Sequence, residues 1–172
     1  MKRWIMATAL AIAALVSVPL SAQQPPFRDA LLDRLAGNWV LTGSANGTPT
    51  THDVSADWVL GHHYLRIHEA SREKNADGEA AYEARVFVGR DPKANQYVLV
   101  WLDVFGGIAA DSLGRATREG DTIPFVFKDS SGKESFHNTF TYDRRSDRWT
   151  WSLDNVTDGK AAPFARFTLT RR

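Results

Sequence analysis

The chain has no cysteine in its 172 residues. That absence excludes a disulfide framework, a thiol nucleophile, a zinc ribbon and a lipobox for a lipid anchor. One-sided charge is also missing, since 21 lysines and arginines face 20 aspartates and glutamates. Nucleic-acid binding needs a concentrated basic face to release counterions, so no nucleic-acid partner is expected. There is no Gly-x-Ser-x-Gly elbow, and Ser112 in Asp111-Ser112-Leu113-Gly114 has no local base. No glycine-rich loop opens a helix to cradle phosphate, and Gly106-Gly107 reads as a turn. No catalytic residue is assigned on these grounds. His-Glu-x-x-His and His-x-x-x-His are absent as well. His62 and His63 are adjacent, so on a strand they face opposite sides, while His52, His68 and His137 fall on separate strands. Neither a metal site nor a cofactor is expected.

What is present begins with an address. Lys2 and Arg3 precede an apolar run from Trp4 to Val18, followed by Pro19-Leu20-Ser21-Ala22. This order of charge, apolar stretch and small residues predicts a secretory signal peptide over 1–22, cut after Ala22. The run is shorter than the roughly 20 residues of a bilayer span, so no stable membrane anchor is expected after cleavage. Export without cysteine fits a bacterial periplasm, because small domains of the eukaryotic secretory route collect disulfides.

Residues 23–36 read as a polar leader and a short helix. Phe27, Leu31 and Leu35, with Leu32 beside them, repeat at helical spacing, and Gly37 supplies the stop. A helix of two and a half turns is unstable alone and must lie against something. Over 37–172, turn signals such as Asn46-Gly47, Asp77-Gly78, Ser131-Gly132 and Asp158-Gly159 recur about every ten to twelve residues. The β-branched and aromatic runs between them predict strands over 38–44, 51–60, 63–71, 80–89, 96–104, 108–117, 122–128, 135–142, 148–155 and 163–170. Side chains alternate: Trp149, Trp151 and Leu153 share one face, as do Ile123, Phe125 and Phe127. Parallel crossovers need long helices, and there are none in the pattern. The fold class is therefore all-β: a single antiparallel up-and-down barrel of about ten strands, with the short N-terminal helix closing one end.

Several signatures point the same way. Leu35-Ala36-Gly37-Asn38-Trp39 resembles the start of the calycins, the superfamily that includes lipocalins, where a short helix leads into Gly-x-Trp on the first strand. Trp58-Val59-Leu60-Gly61-His62-His63-Tyr64-Leu65 is similar to a second signature of a bacterial lipocalin-like family of unassigned function. Here His62-His63 follows Leu60-Gly61 where Leu-Gly-Gly is commoner. Gly89-Arg90-Asp91, Asn95, Tyr97-Val98, Trp101, Asp103 and Gly107 resemble a third. The resemblance implies a barrel whose first tryptophan packs across the closed end. It brings no catalytic residues with it, and fold analogy does not establish function.

The strand over 97–105 breaks the alternation. It is apolar on both faces except at Asp103, so its second face requires cover from the helix, a loop, a ligand or another subunit. Burial would raise the Asp103 pKa unless a cation answered it, and Arg66, Arg85 and Arg166 are candidates. A buried Asp–Arg pair that pins register and a ligand-facing carboxylate are both open. Five tryptophans beyond the signal segment suit an aromatic pocket. The expected partner is a small hydrophobic or amphipathic molecule held inside, with Trp101 and Trp151 as walls and Asp103, Arg66, His68 and His137 as polar contacts. Three alternatives remain. One is an enzyme using Asp103 and a histidine for proton transfer, and another is a haem barrel ligated through His68 or His137. The third is an assembly module pairing subunits, as a homodimer for instance, through Val98, Val100 and Leu102.

Overall fold

A strand whose alternate residues are apolar must bury one face, and a meander of ten such strands can do so by curling onto itself. The computed structural model describes residues 24–172, and the signal-peptide expectation for 1–22 lies outside them. The strands are β1 (Gly37–Ala45), β2 (Thr48–Val59), β3 (Tyr64–Ser71), β4 (Glu83–Asp91) and β5 (Gln96–Asp103). They continue with β6 (Leu113–Ala116), β7 (Thr122–Lys128), β8 (Glu134–Asp143), β9 (Arg148–Thr157) and β10 (Lys160–Arg171). Each pairs antiparallel with its neighbours in sequence, and β1 also pairs with β10, which closes the barrel. This all-β, up-and-down architecture is compatible with the calycin-like fold that the resemblance implies.

The hairpin turns follow from their sequences. Asn46 and Gly47 both take positive φ, 48° and 79°, as do Asp158 and Gly159 at 51° and 73°. Two-residue turns of this hand match the strand twist and favour Asn-Gly and Asp-Gly. The β2–β3 turn explains the histidine that replaces glycine in the second signature. His62 has φ 69°, its ring stacks on Trp58 at 4.0 Å between centroids, and its Nδ1 donates to the Phe27 carbonyl. Contacts on both sides of the ring compensate a backbone shape that glycine would adopt freely.

Inward positions hold the core. Trp39, Leu41, Leu65, Ile67, Val86, Leu99, Trp149 and Leu169 are all fully buried, while the intervening residues of these strands face outward. An apolar interior with a largely polar exterior is the reverse of a lipid-facing barrel. Among the described residues no helix is long and apolar enough to cross a membrane.

The leader differs from expectation. Instead of two and a half helical turns there is one, α1 (Leu32–Leu35), preceded by a turn at residues 30–31. Asp29 explains the late start, since its Oδ1 accepts the amides of Leu31 and Leu32, both at 2.9 Å. Leu31, Leu32 and Leu35 bury into the cluster that holds Trp39. The Trp39 indole donates to the Leu35 carbonyl at 2.7 Å, and the Arg171 guanidinium lies 4.0 Å above its ring.

Two predicted strands shorten. Residues 80–82 lie outside β4. Residues 108–112 form a loop and one 3₁₀ turn before the four-residue β6. Gly106 and Gly107, at φ 73° and 85°, release the chain from pairing, and the apolar Ile108 that follows is left exposed.

The closing seam requires a residue with no side chain. Gly43 faces Phe167 across β1 and β10, and a Cβ there would lie 2.0 Å from the Arg166 carbonyl oxygen and 2.9 Å from the Phe167 Cα. Both obstacles are backbone, so the strands themselves would have to separate. Gly43→Val is expected to cost about 3 kcal/mol, read from the urea unfolding midpoint. Thr42→Ala, on the exposed face of the same strand, should change stability by less than about 0.5 kcal/mol.

Candidate functional site

The barrel is packed solid at the end where α1 sits and hollow at the other. Near α1 the inward positions carry large apolar side chains. Towards the opposite mouth, inward positions along β2, β3 and β5 become His52, Glu69, Ser71 and Asp103. A cavity of about 820 Å³ opens there, within the size range of small-molecule sites.

Its walls are largely apolar and rich in aromatic rings. Trp101 of β5 and Trp151 of β9 meet across the interior at 5.5 Å between centroids, and Trp151 also stacks on Phe140 at 4.5 Å. The Trp101 indole donates to the Tyr82 hydroxyl at 3.1 Å, and the Trp151 indole donates to the side-chain oxygen of the fully buried Asn138. Phe127 reaches the cavity because Gly114 stands opposite it, where a Cβ would meet its ring at 2.7 Å.

A polar line runs down one side. His52 and Glu69 are 5% and 2% exposed, and His52 Nδ1 lies 2.5 Å from Glu69 Oε1. Because an ionised carboxylate only accepts, Nδ1 carries a proton. His52 Nε2 lies 2.8 Å from Thr50 Oγ1, which also reaches Glu73 Oε2 at 3.0 Å. A hydroxyl has one proton to give. If Thr50 donates to Glu73, His52 must donate through Nε2 and be an imidazolium. If Thr50 turns to His52, the ring is neutral. The chain Glu69–His52–Thr50–Glu73 is thus a proton-bearing relay with two arrangements. Glu73 is held below the usual carboxylate range, first by its own backbone amide and, against the opposing pull of burial, by Thr50, the Thr51 amide and the nearby His52.

Three of the expected contacts come together: Trp101, Trp151 and Asp103 all line the cavity. Asp103 is half-buried and accepts the Phe105 amide at 3.0 Å. The other three do not join them. In β3 the buried positions are Leu65, Ile67, Glu69 and Ser71, which turns Arg66 and His68 outward. Arg66 pairs there with Asp57 at 3.0 Å and His68 with Glu83 at 2.9 Å. In β8, Asn138, Phe140 and Tyr142 are buried, and His137 faces out to Glu134 at 3.0 Å. Strand parity therefore corrects their placement as interior contacts and removes His68 and His137 as ligands to an interior haem. It also corrects the Asp103–arginine pair, since Arg66, Arg85 and Arg166 bind Asp57, Glu83 and Asp154 on the outer face.

Sequence reasoning missed His52, Glu69 and Tyr82. The signal was the same alternation: His52 shares parity with Val54 and Ala56, and Glu69 with Leu65 and Ile67. Tyr82 lies outside any strand, so no periodicity marks it. Among the described residues no group of three or more His, Asp or Glu side chains is arranged to hold a metal ion. On the outer face, Val98, Val100 and Leu102 of β5 are half-buried beside Phe87 and Leu113, and no element of the described chain covers them. In comparisons with known proteins, the chain matches no family model and no curated protein.

Two phenols make the interior sensitive to alkali. Burial, followed by the negative charges of Glu69 and Asp103, pushes the Tyr82 phenol far above its ordinary value. Burial and the Asp29 carboxylate, which accepts its hydroxyl, push Tyr97 up to about 12. For a raised pKa, the stabilising contribution is complete below the ordinary phenol value of 10.0 and is lost as pH rises through the folded value. Stability should therefore fall between pH 10 and 12, with phenolate absorbance appearing late and together with unfolding. Tyr97→Phe should flatten the stability decline in that window.

Proposed function

We propose that the protein binds a small, largely apolar molecule inside its barrel, at the mouth opposite α1. The carrying observation is the cavity of about 820 Å³ walled by Trp101, Trp151, Phe127 and Tyr82, with a few buried polar groups converging on it. Apolar walls supply affinity through the area they remove from water, and the polar line fixes orientation. The packed end, with Trp39 under α1 and its leader, acts as the floor, so exchange runs through the mouth. This reading fits the calycin resemblance, and we place the chain with the lipocalin-like barrels on that basis. The address over 1–22 places its work after export, in the periplasm, on a small-molecule partner.

Purified protein should quench its tryptophan fluorescence on titration with Nile red, a neutral apolar dye, saturating at one dye per chain. Trp101→Ala should weaken binding about tenfold, as expected for loss of a buried aromatic contact. The absence of saturable binding, with no small molecule recovered by solvent extraction and mass spectrometry, would overturn the reading.

One observation favours a second reading, proton transfer within the cavity. Of the five histidines only His52 lines it, tied to Glu69 and sharing the space with Asp103. A histidine positioned by a carboxylate is suited to general acid–base work. Solvent deuterium should then enter the acidic α-position of a cavity-bound ketone, and His52→Gln should abolish that exchange. Equal exchange in both proteins would remove this reading.

A further inference from the structure

Acids and bases are balanced over the whole chain but segregated at the cavity. Four carboxylates line it, from Glu69, Glu73, Asp103 and Asp111, and among the described lining residues there is no lysine or arginine. The contrast with the outside is sharp. Asp53, Asp57, Asp91, Asp121, Asp147 and Asp154 each lie within ion-pair distance of an arginine. Among the described residues none of the four lining acids is in an ion pair with arginine or lysine, and the imidazole of His52 is the only basic group that lines the cavity with them.

From this segregation we infer that the molecule held in the barrel is an amphipathic organic cation, an amine or quaternary ammonium on an apolar frame. The inference rests on the proposed binding function and specifies its ligand class. The site is the aromatic cavity, and the acids set the charge of what enters it. Glu69 is the most telling of them. It is 2% exposed, its Oε1 is taken by His52, and Oε2 has no hydrogen bond among the described residues. That oxygen is free to accept, and a ligand ammonium entering the cavity would give it a charge-assisted hydrogen bond. With His52 charged, three negative charges still remain in excess around the hollow. An anionic ligand would meet that field in a partly desolvated space, where repulsion is stronger than in water.

The walls point to the same class. A cation is attracted to the faces of tryptophan, tyrosine and phenylalanine, and Trp101, Trp151, Tyr82 and Phe105 all border the cavity. The Tyr82 phenol already registers the negative potential, since Glu69 and Asp103 are the charges that, after burial, oppose its ionisation. An apolar frame would lie along the tryptophans, with its charged end turned towards Glu69 and Asp103.

Three compounds with one ring system separate charge from burial: 1-naphthylmethylammonium, 1-naphthalenemethanol and 1-naphthoate. Titrated into the whole protein at neutral pH and low salt, they should bind in the order cation, neutral, anion. The cation should exceed the anion by about tenfold or more, with the gap narrowing as sodium chloride is added. Asp103→Asn, shown to be folded by circular dichroism, should reduce the cation-to-neutral ratio at least about threefold. Asp111→Asn, on an exposed turn, repeats the test if Asp103→Asn fails to fold. Equal binding of all three, or preference for the anion, overturns the charge assignment and leaves the binding function standing. If none of the three binds and Nile red does not bind either, both fall together.

Discussion

Two-residue periodicity in a closed sheet is the constraint from which the rest follows. Once β1 and β10 are joined, every residue of every strand is committed to the inside or the outside, and a single register shift would exchange the two sets. Trp39, Leu41, Trp149 and Leu169 fix the choice at the packed end, because a one-residue slip would turn them all out to water. The residues farther along the same strands then have no freedom. His52 is inside because Val54 is inside, and Glu69 because Ile67 is. A polar, acidic cavity is thus imposed by the apolar core beneath it. The cost of burying those groups is accepted where the strands have run out of packing partners.

This division also explains how the charges are arranged. On the outer face, aspartates and arginines from neighbouring strands stand side by side, as in Asp57 with Arg66 and Asp154 with Arg166. Such exposed pairs contribute little to stability individually. Their effect is to leave the exterior electrically quiet while the interior keeps its carboxylates unmatched by arginine. Near-neutral overall charge therefore conceals an uneven distribution, with carboxylates unpaired by arginine gathered at one opening.

Much of the architecture was legible from residues alone. Asn46-Gly47 and Asp158-Gly159 marked their hairpins, and the alternation of Trp149, Trp151 and Leu153 put them on one face of β9, which only the closed barrel shows to be the inner one. The helix was overread because Phe27, Leu31 and Leu35 share a helical spacing, whereas the Asp29 carboxylate caps a turn that begins only after it, leaving Phe27 outside. For the site, Trp101, Trp151 and Asp103 were found because they interrupt or extend an apolar pattern. Arg66, His68 and His137 were attractive by chemistry, but parity with Leu65, Ile67 and Asn138 sends them outward. His52 and Glu69 obeyed the same rule unnoticed, since a polar residue at an inward position looks like the end of a pattern. Tyr82 reaches the cavity from a loop, and only tertiary structure could reveal it.

The seam at Gly43 has a further consequence for how this protein can meet others. Joining the first strand to the last removes the terminal edges on which a foreign strand could grow, and leaves unpaired strand backbone only where the short β6 falls short of β5 and β7. Elsewhere on the described sheet, strand addition and edge-to-edge polymerisation require the ring to break first. On the outer wall, Phe87, Val98, Val100 and Leu102 form an apolar stripe without a charge of its own, which a partner would read through side chains alone.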